Sequence, residues 1–382
     1  MEKRSLSPEL RDVLFSVIRS GMETGTSELQ LSPETCRELL RFGAAQSIFP
    51  IIYHGLERME VPKEALQDFN ARRLKELYSL VQRDEALCSV SSALEAENIP
   101  YILLKGAVLR ELYPRPELRT SCDIDILVRE ETLEQAVAAI ECRTDFKTQK
   151  RAYHDISMLN GSFHLELHFS IKENEENLDR LLVRAWEYAQ PTGEGCRYAF
   201  TPEFQIFHVT AHMCYHLLHG GLGIRPFLDL WLLRNKTAFE EASVRAMCES
   251  CGIQKFYEAC CALSQVWMEQ APHTETSAQF EAFCLSGGVF GSSKFKNAAR
   301  QREARGIKYV LRRVFPPASQ VKDYYGNHLG RHHALPYYYA KRLLSWTGRS
   351  RRKELQTQLK QIMSSDQAYL DSTDKFFQQL GL

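Results

Sequence analysis

No apolar run among the 382 residues approaches the roughly 20 that a membrane-spanning helix needs, so no bilayer-crossing segment is expected. An excess of charge is missing too. Forty-eight Lys and Arg offset 48 Asp and Glu, a formal +0 at pH 7, which excludes global attraction to nucleic acid or to a membrane surface and leaves the choice of partner to a local site. The eleven cysteines have neither an even count nor regular spacing, and they follow no signal peptide, so reduced thiols in the cytoplasm are expected instead of a disulfide framework. Repeats and low-complexity tracts are absent. A Walker A loop is absent as well, since Gly287-Gly288-Val289-Phe290-Gly291-Ser292-Ser293-Lys294 lacks the Gly-Lys-Ser/Thr order and reads as a loop. What is present, 44% hydrophobic and 25% charged residues over a length beyond one typical domain, suffices for a sizeable core.

The densest chemistry lies between Tyr101 and Val128. Tyr101 to Leu104 is an apolar, β-forming run that predicts a buried strand; Lys105-Gly106 ends it, and Ala107 to Leu112 reads as helix. From Cys122 to Val128 a period of two puts Asp123 and Asp125 on one face and Cys122, Ile124 and Ile126 on the other. Neighbouring carboxylates repel, and burying them unpaired is costly; Mg²⁺, which takes one or two carboxylates plus substrate phosphates, answers both problems. A solvated edge strand with two surface acids also fits a bare Asp-x-Asp. The preceding turn adds phosphate chemistry: Gly106 lets backbone approach closely, the helix start offers free N–H groups, and Lys105 supplies a point charge.

The flanking chain is mostly helical by its spacing. Leu10, Val13, Leu14, Val17 and Ile18 begin a helical cap, Pro50 falls in the first turn of a helix, and one long helix is predicted from Lys63 to Asn98. On it Arg72, Arg73, Lys75 and Arg83 fit either a nucleotide-facing patch or a solvated face. Glu131 to Glu141 is an amphipathic helix with Leu133, Ala136, Val137 and Ile140 inward. Asn160-Gly161 predicts a hairpin whose second arm alternates Phe163, Leu165, Leu167 and Phe169 with His164, Glu166 and His168. That polar face fits a half-exposed strand, a His-His-Glu zinc site, or a third carboxylate beside Asp123 and Asp125. The turn-rich Gln190 to Cys196 is the candidate domain boundary, giving a helical cap over 1–98, a core over 99–190 and an α-helical domain over 197–382. In the last of these, Thr201-Pro202 starts a helix bearing His208, His212 and His216 on one stripe, and Asp229 lies among apolar residues with Arg225, His212 or His216 as possible partners. Cys248, Cys251, Cys260 and Cys261 have no matching histidine pair for zinc.

Leu104-Lys105-Gly106, Leu109, Tyr113-Pro114, Arg119 and Asp123-Ile124-Asp125 together resemble the uncharacterised nucleotidyltransferase family of the DNA polymerase β-like superfamily. The likeness continues through the spaced histidines, Asp229-Leu230-Trp231-Leu232-Leu233, Phe315-Pro316-Pro317 and Pro336 to Arg342, so it spans nearly the whole chain. Lys105-Gly106 departs from the Gly-Ser of most superfamily members, which removes their serine contact to the triphosphate. The resemblance implies an α+β fold, a small mixed sheet between the helical cap and the helical C-terminal domain. It implies transfer of a nucleoside monophosphate from an NTP to an acceptor hydroxyl, with two Mg²⁺ ions held by Asp123, Asp125 and Glu166. Lys105, Gly106, Arg119 and Ser121 would meet the nucleotide. His168, His212, His216, Arg225 and Asp229 would line an acceptor pocket between the sheet and the later helices. A nucleotide-binding protein without turnover is the alternative, as is a tRNA-modifying transferase using the basic run Arg349 to Lys353, although nucleic acid is not favoured as a partner.

Overall fold

Three helices start by one device, a hydroxyl followed by proline. Ser7, Ser32 and Thr201 precede Pro8, Pro33 and Pro202, and their side chains accept from the N–H groups of Leu10, Thr35 and Phe204. Each pair satisfies an orphan donor while proline fills a position that needs none. The structure, a computed structural model, describes residues 7–25, 29–121, 123–152, 154–161, 163–286, 336, 339 and 367–382. Gly287 to Lys294, Phe315-Pro316-Pro317 and Arg349 to Lys353 lie outside the described residues, as does Pro336 to Arg342 apart from Pro336 and Tyr339.

The N-terminal helices are α1 (Pro8–Gly21), α2 (Pro33–Ala45), α3 (Phe49–Arg58), α4 (Lys63–Gln67) and α5 (Asn70–Ala96). Pro50 sits in the first turn of α3, as its position in the sequence predicts. Gly21 and Gly55 let α1 and α3 touch backbone to backbone: a Cβ on Gly21 would collide with the Ile51 carbonyl, and one on Gly55 with that of Val17. Gly55→Ala is therefore expected to destabilise the protein by about 2 kcal/mol or more, read as a lowered urea midpoint at unchanged slope. The single helix expected from Lys63 to Asn98 is instead two, broken at Asp68-Phe69. Contacts to α3 override local propensity there: the Phe69 ring lies 6.1 Å from that of Phe49, and Tyr53 Oη donates to Asn70 Oδ1 at 2.6 Å. Arg72 and Arg73 lie over Phe49 and Tyr53 and pair with Glu76 and Glu57.

After β1 (Tyr101–Leu103) come α6 (Gly106–Leu109), two 3-10 turns, β2 (Asp123–Val128) and α7 (Leu133–Arg143), then β3 (Lys147–Arg151), β4 (Asp155–Asn160) and β5 (Phe163–His168). The hairpin of β4 and β5 turns at Gly161, whose φ of 51° suits glycine. Then follow α8 (Glu176–Leu182), β6 (Ala189–Pro191) and β7 (Arg197–Phe200). The strands form one mixed sheet in the order β3-β4-β5-β2-β1-β7-β6. Three of them were not foreseen. β3 is a charged, exposed edge without an apolar face, and β6 and β7 flank the Gln190 to Cys196 turn, with β7 pairing in parallel with β1.

The later helices are α9 (Pro202–His219), α10 (Arg225–Lys236), α11 (Glu241–Ser250), α12 (Gln254–Glu269) and α13 (Glu275–Leu285), with a last helix at Gln367–Gln379. The fold is mixed α+β. Pleating sorts the sheet residues between two cores: Ile124, Ile126 and Val128 pack with Val90, Ala136 and Ile140 of α5 and α7, whereas Ile102, Leu104 and Leu127 join the core built with α1 to α3 and α9 to α13. Asp123 and Asp125 share the parity of Leu127, so their side chains face the second set of helices. Among the described residues no helix is long and apolar enough to cross a membrane.

Candidate active site

The polar face expected on the hairpin and the carboxylates expected on β2 meet because β2 and β5 pair in parallel, with Asp123 opposite His164, Asp125 opposite Glu166, and Leu127 opposite His168. His164 Nδ1 lies 3.2 Å from Asp123 Oδ1 and 3.7 Å from Glu166 Oε1. One turn of the pleat further, His168 Nε2 lies 3.2 Å from Asp125 Oδ1 and 3.5 Å from Glu166 Oε2. Asp123 is half-buried at the strand entrance, whereas Asp125 and His168 are buried.

Burial disfavours the Asp125 carboxylate, but Lys105 and the His168 hydrogen bond outweigh it and hold its pKa well below the usual carboxylate range. Burial likewise pushes His168 down, and its hydrogen bonds to Asp125 and Glu166 reverse this, leaving the imidazole raised. Lys105 stands in a backbone conformation that L-residues avoid, φ 39° and ψ −101°. Gly106 follows it for a packing reason: a Cβ there would lie 2.9 Å from Ser121 Cβ and 3.2 Å from Arg119 Nη1. Ser121 Oγ donates to the Asp123 carbonyl at 3.0 Å, fixing the entry into β2.

Arg119 and Asp229 form a buried two-pronged pair, Nε to Oδ1 at 2.8 Å and Nη2 to Oδ2 at 2.9 Å, and Tyr113 Oη donates to Oδ1 at 2.8 Å. The partner of Asp229 is thus Arg119 and Tyr113, where the sequence suggested Arg225, His212 or His216. The two halves of the pair are more than a hundred residues apart, a distance over which no periodicity operates. Arg225 Nη1 instead donates to the Thr120 carbonyl at 2.9 Å, so α10 grips the segment before β2 at two points.

On α9, His212 Nδ1 lies 2.7 Å from Glu173 Oε1, and its Nε2 lies 2.9 Å from His216 Nε2. Glu173, in the polar run after β5, carries no sequence signal and was missed. The charges of Lys105 and Asp125 both act on His212. Burial pushes His212 well down, and His208 and His216 to about 3. The sign of the resulting pH dependence follows. Unfolded imidazoles bind protons below about pH 6.5, whereas folded His208 and His216 do not until about pH 3, so the stability these two contribute is full above pH 6.5 and lost as acid is added. His168, raised, works the other way above that pH. Unfolding free energy is expected to fall on acidification from pH 6.5 by up to about 1.4 kcal/mol per pH unit for each such histidine. His208→Gln should reduce that slope in urea titrations at several pH values; an unaltered slope would show that His208 does not contribute.

Asp123, His164 and Glu166 on one hand, and Asp125, Glu166 and His168 on the other, have donor atoms within 4.8 Å of one another, close enough to share an ion. The carboxylate oxygens fit a divalent cation, and the buried Asp125 charge gives one a reason to bind. Among the described residues no cysteine joins such a group; burial raises the thiols of Cys248, Cys260 and Cys261, keeping them protonated.

A family model described as an uncharacterised nucleotidyltransferase matches residues 32–269. No curated protein matches. Among solved structures the chain is similar to one titled "Solution Structure of Antibiotic-Resistance Factor ANT(2'')-Ia Reveals Substrate-Regulated Conformation Dynamics", with 13% identity and a TM-score of 0.28 over 50% of this chain and 91% of that one.

Proposed function

The chain belongs to the uncharacterised nucleotidyltransferase family, and on that footing we propose that it moves a nucleoside monophosphate from an NTP to an acceptor hydroxyl, releasing pyrophosphate. The observation that carries this reading is the convergence of Asp123, Asp125 and Glu166 from two paired strands on one face, with the charge of Lys105 felt at Asp125. Those three carboxylates would hold divalent ions, with Mg²⁺ the first expectation. When bound, such ions supply Lewis-acid charge to the phosphates and make the acceptor hydroxyl easier to deprotonate.

Lys105 faces the phosphates as a point charge, and Gly106 leaves Ser121 and Arg119 room beside the turn. Asp229 and Arg225 hold the segment from Arg119 to Ser121 in place. His168, His212 and His216 border the acceptor, with Glu173 fixing the His212 ring; a lining of this kind suits a hydroxylated ligand. Phosphoryl chemistry demands little covalent participation from protein groups, so fixed charge of this kind is sufficient.

Pyrophosphate release from each labelled NTP, offered with candidate acceptors and Mg²⁺ or Mn²⁺, tests the reading. Asp125→Asn is expected to lower the rate by about a thousandfold, and a rate equal to wild type would sink it. A second reading is triphosphate binding without turnover. Two observations favour it: Lys105-Gly106 stands in place of Gly-Ser, and Asp229 already occupies two donors of Arg119. Calorimetry showing ion-dependent NTP binding, with no pyrophosphate from any acceptor, would select it.

A further inference from the structure

The donor atoms on this face divide into two sets. Asp123 Oδ1, His164 Nδ1 and Glu166 Oε1 form the outer one, with the imidazole 3.2 and 3.7 Å from the two oxygens. Asp125 Oδ1, His168 Nε2 and Glu166 Oε2 form the inner one, at 3.2 and 3.5 Å. Two ligands bound to one first-row ion at about 2.0–2.2 Å each stand about 3.0–3.5 Å apart, so the imidazole-to-carboxylate distances in both sets are near ligand spacing. Glu166 gives one oxygen to each.

We propose that, in the ion site inferred above, His164 and His168 would each serve as a ligand beside the carboxylates, and that the site takes a divalent first-row transition ion such as Mn²⁺ in preference to Mg²⁺. The proposal deepens the functional reading above and rests on it for the location of the ions. Three carboxylates alone would suit Mg²⁺, which prefers oxygen and near-ideal octahedral geometry. An imidazole nitrogen in each set shifts the balance toward transition ions, whose affinity for nitrogen donors exceeds that of Mg²⁺. The surroundings of the rings fit ligation. Ser157 Oγ lies 2.6 Å from His164 Nε2, the nitrogen away from the carboxylates, and orients the ring so that Nδ1 faces Asp123 and Glu166. His168 is buried and stacked on His154 at 5.8 Å, and its Nε2 stands 3.2 Å from Asp125 Oδ1, although its Nδ1 has no hydrogen-bond partner among the described residues to fix the ring in the way that Ser157 fixes His164.

The test is the binding of Mn²⁺ alone to the full chain, followed by electron paramagnetic resonance and compared with Mg²⁺ by calorimetry. Two Mn²⁺ are expected to bind about tenfold or more tighter than Mg²⁺, with ¹⁴N couplings on bound Mn²⁺ in pulsed spectra. His164→Ala and His168→Ala should each weaken Mn²⁺ about tenfold and remove part of that coupling. Because His168 is buried, His168→Gln and a thermal melt accompany the alanine variant, and the wild-type ¹⁴N signal decides the matter without any variant. Bound Mn²⁺ lacking nitrogen coupling, or no Mn²⁺ bound, would overturn the proposal. Pyrophosphate release in Mg²⁺ together with that result would leave the transfer reading standing, whereas nitrogen-coupled Mn²⁺ with no transfer in any ion would do the reverse.

Discussion

Lys105→Gly is expected to be more stable than Lys105→Ala by about 1–2 kcal/mol, and both variants are expected to lose about a hundredfold or more in nucleotidyl transfer. Glycine ordinarily ranks below alanine, by about 0.5–1 kcal/mol, because it gives up more backbone freedom on folding. At φ 39° and ψ −101° the order reverses, since alanine keeps the steric clash of a Cβ in that region and glycine has none. Comparing the two variants cancels the lost ammonium, which both lack, and leaves the backbone strain by itself. The strained position carries the charge felt by Asp125, His208 and His212, which supplies a functional reason for a lysine to sit where glycine fits better. Denaturant midpoints and initial rates measure the two halves separately. Alanine above glycine would remove the strain argument, and an active glycine variant would remove the phosphate role.

The second large effect is expected at Asp229. Asp229→Ala strands the buried Arg119 guanidinium and the Tyr113 hydroxyl, and a loss of about 3–5 kcal/mol is expected. Arg119→Met combined with Asp229→Leu should recover most of that stability, because an apolar pair of similar volume has no desolvation to offset. Transfer should not recover with it. The pair also fixes where Arg119 Nη1 stands beside Gly106, and a methionine places no charge there. Urea unfolding and pyrophosphate release on the same preparations distinguish a positioning role from a purely structural one. A double variant that is stable and fully active would show the pair to be structural alone.

Much of the sheet centre was legible because alternation acts over a few residues: Asp123 to Val128 and Phe163 to His168 declare their faces, and Asn160-Gly161 declares the turn between β4 and β5. A proline in the first turn at Pro50 and the capped proline at Thr201-Pro202 likewise marked helix starts. What escaped depends on contacts distant in sequence. The helix break at Asp68-Phe69 follows from α3, β7 becomes a strand because β1 offers it an edge, and Glu173 gains meaning only beside His212. For the candidate site, the acidic residues were visible as a pattern. The division of their oxygens between two imidazoles was not, because it arises from the parallel register of β2 with β5 and the rotamers that register admits.

The pairing of β1 with β7 also sets an order of events while the chain is being made. Tyr101 finds its partner at Arg197, so nearly a hundred further residues must be synthesised before β1 is flanked on both sides. A nascent chain that has emerged only as far as His168 can already join β2, β4 and β5, with the apolar Tyr101–Leu103 left as an open edge. Such an edge is a template for unwanted strand pairing between chains. Expression products truncated between β5 and β7 should therefore aggregate, and pausing of the ribosome within that interval should reduce the yield of folded protein.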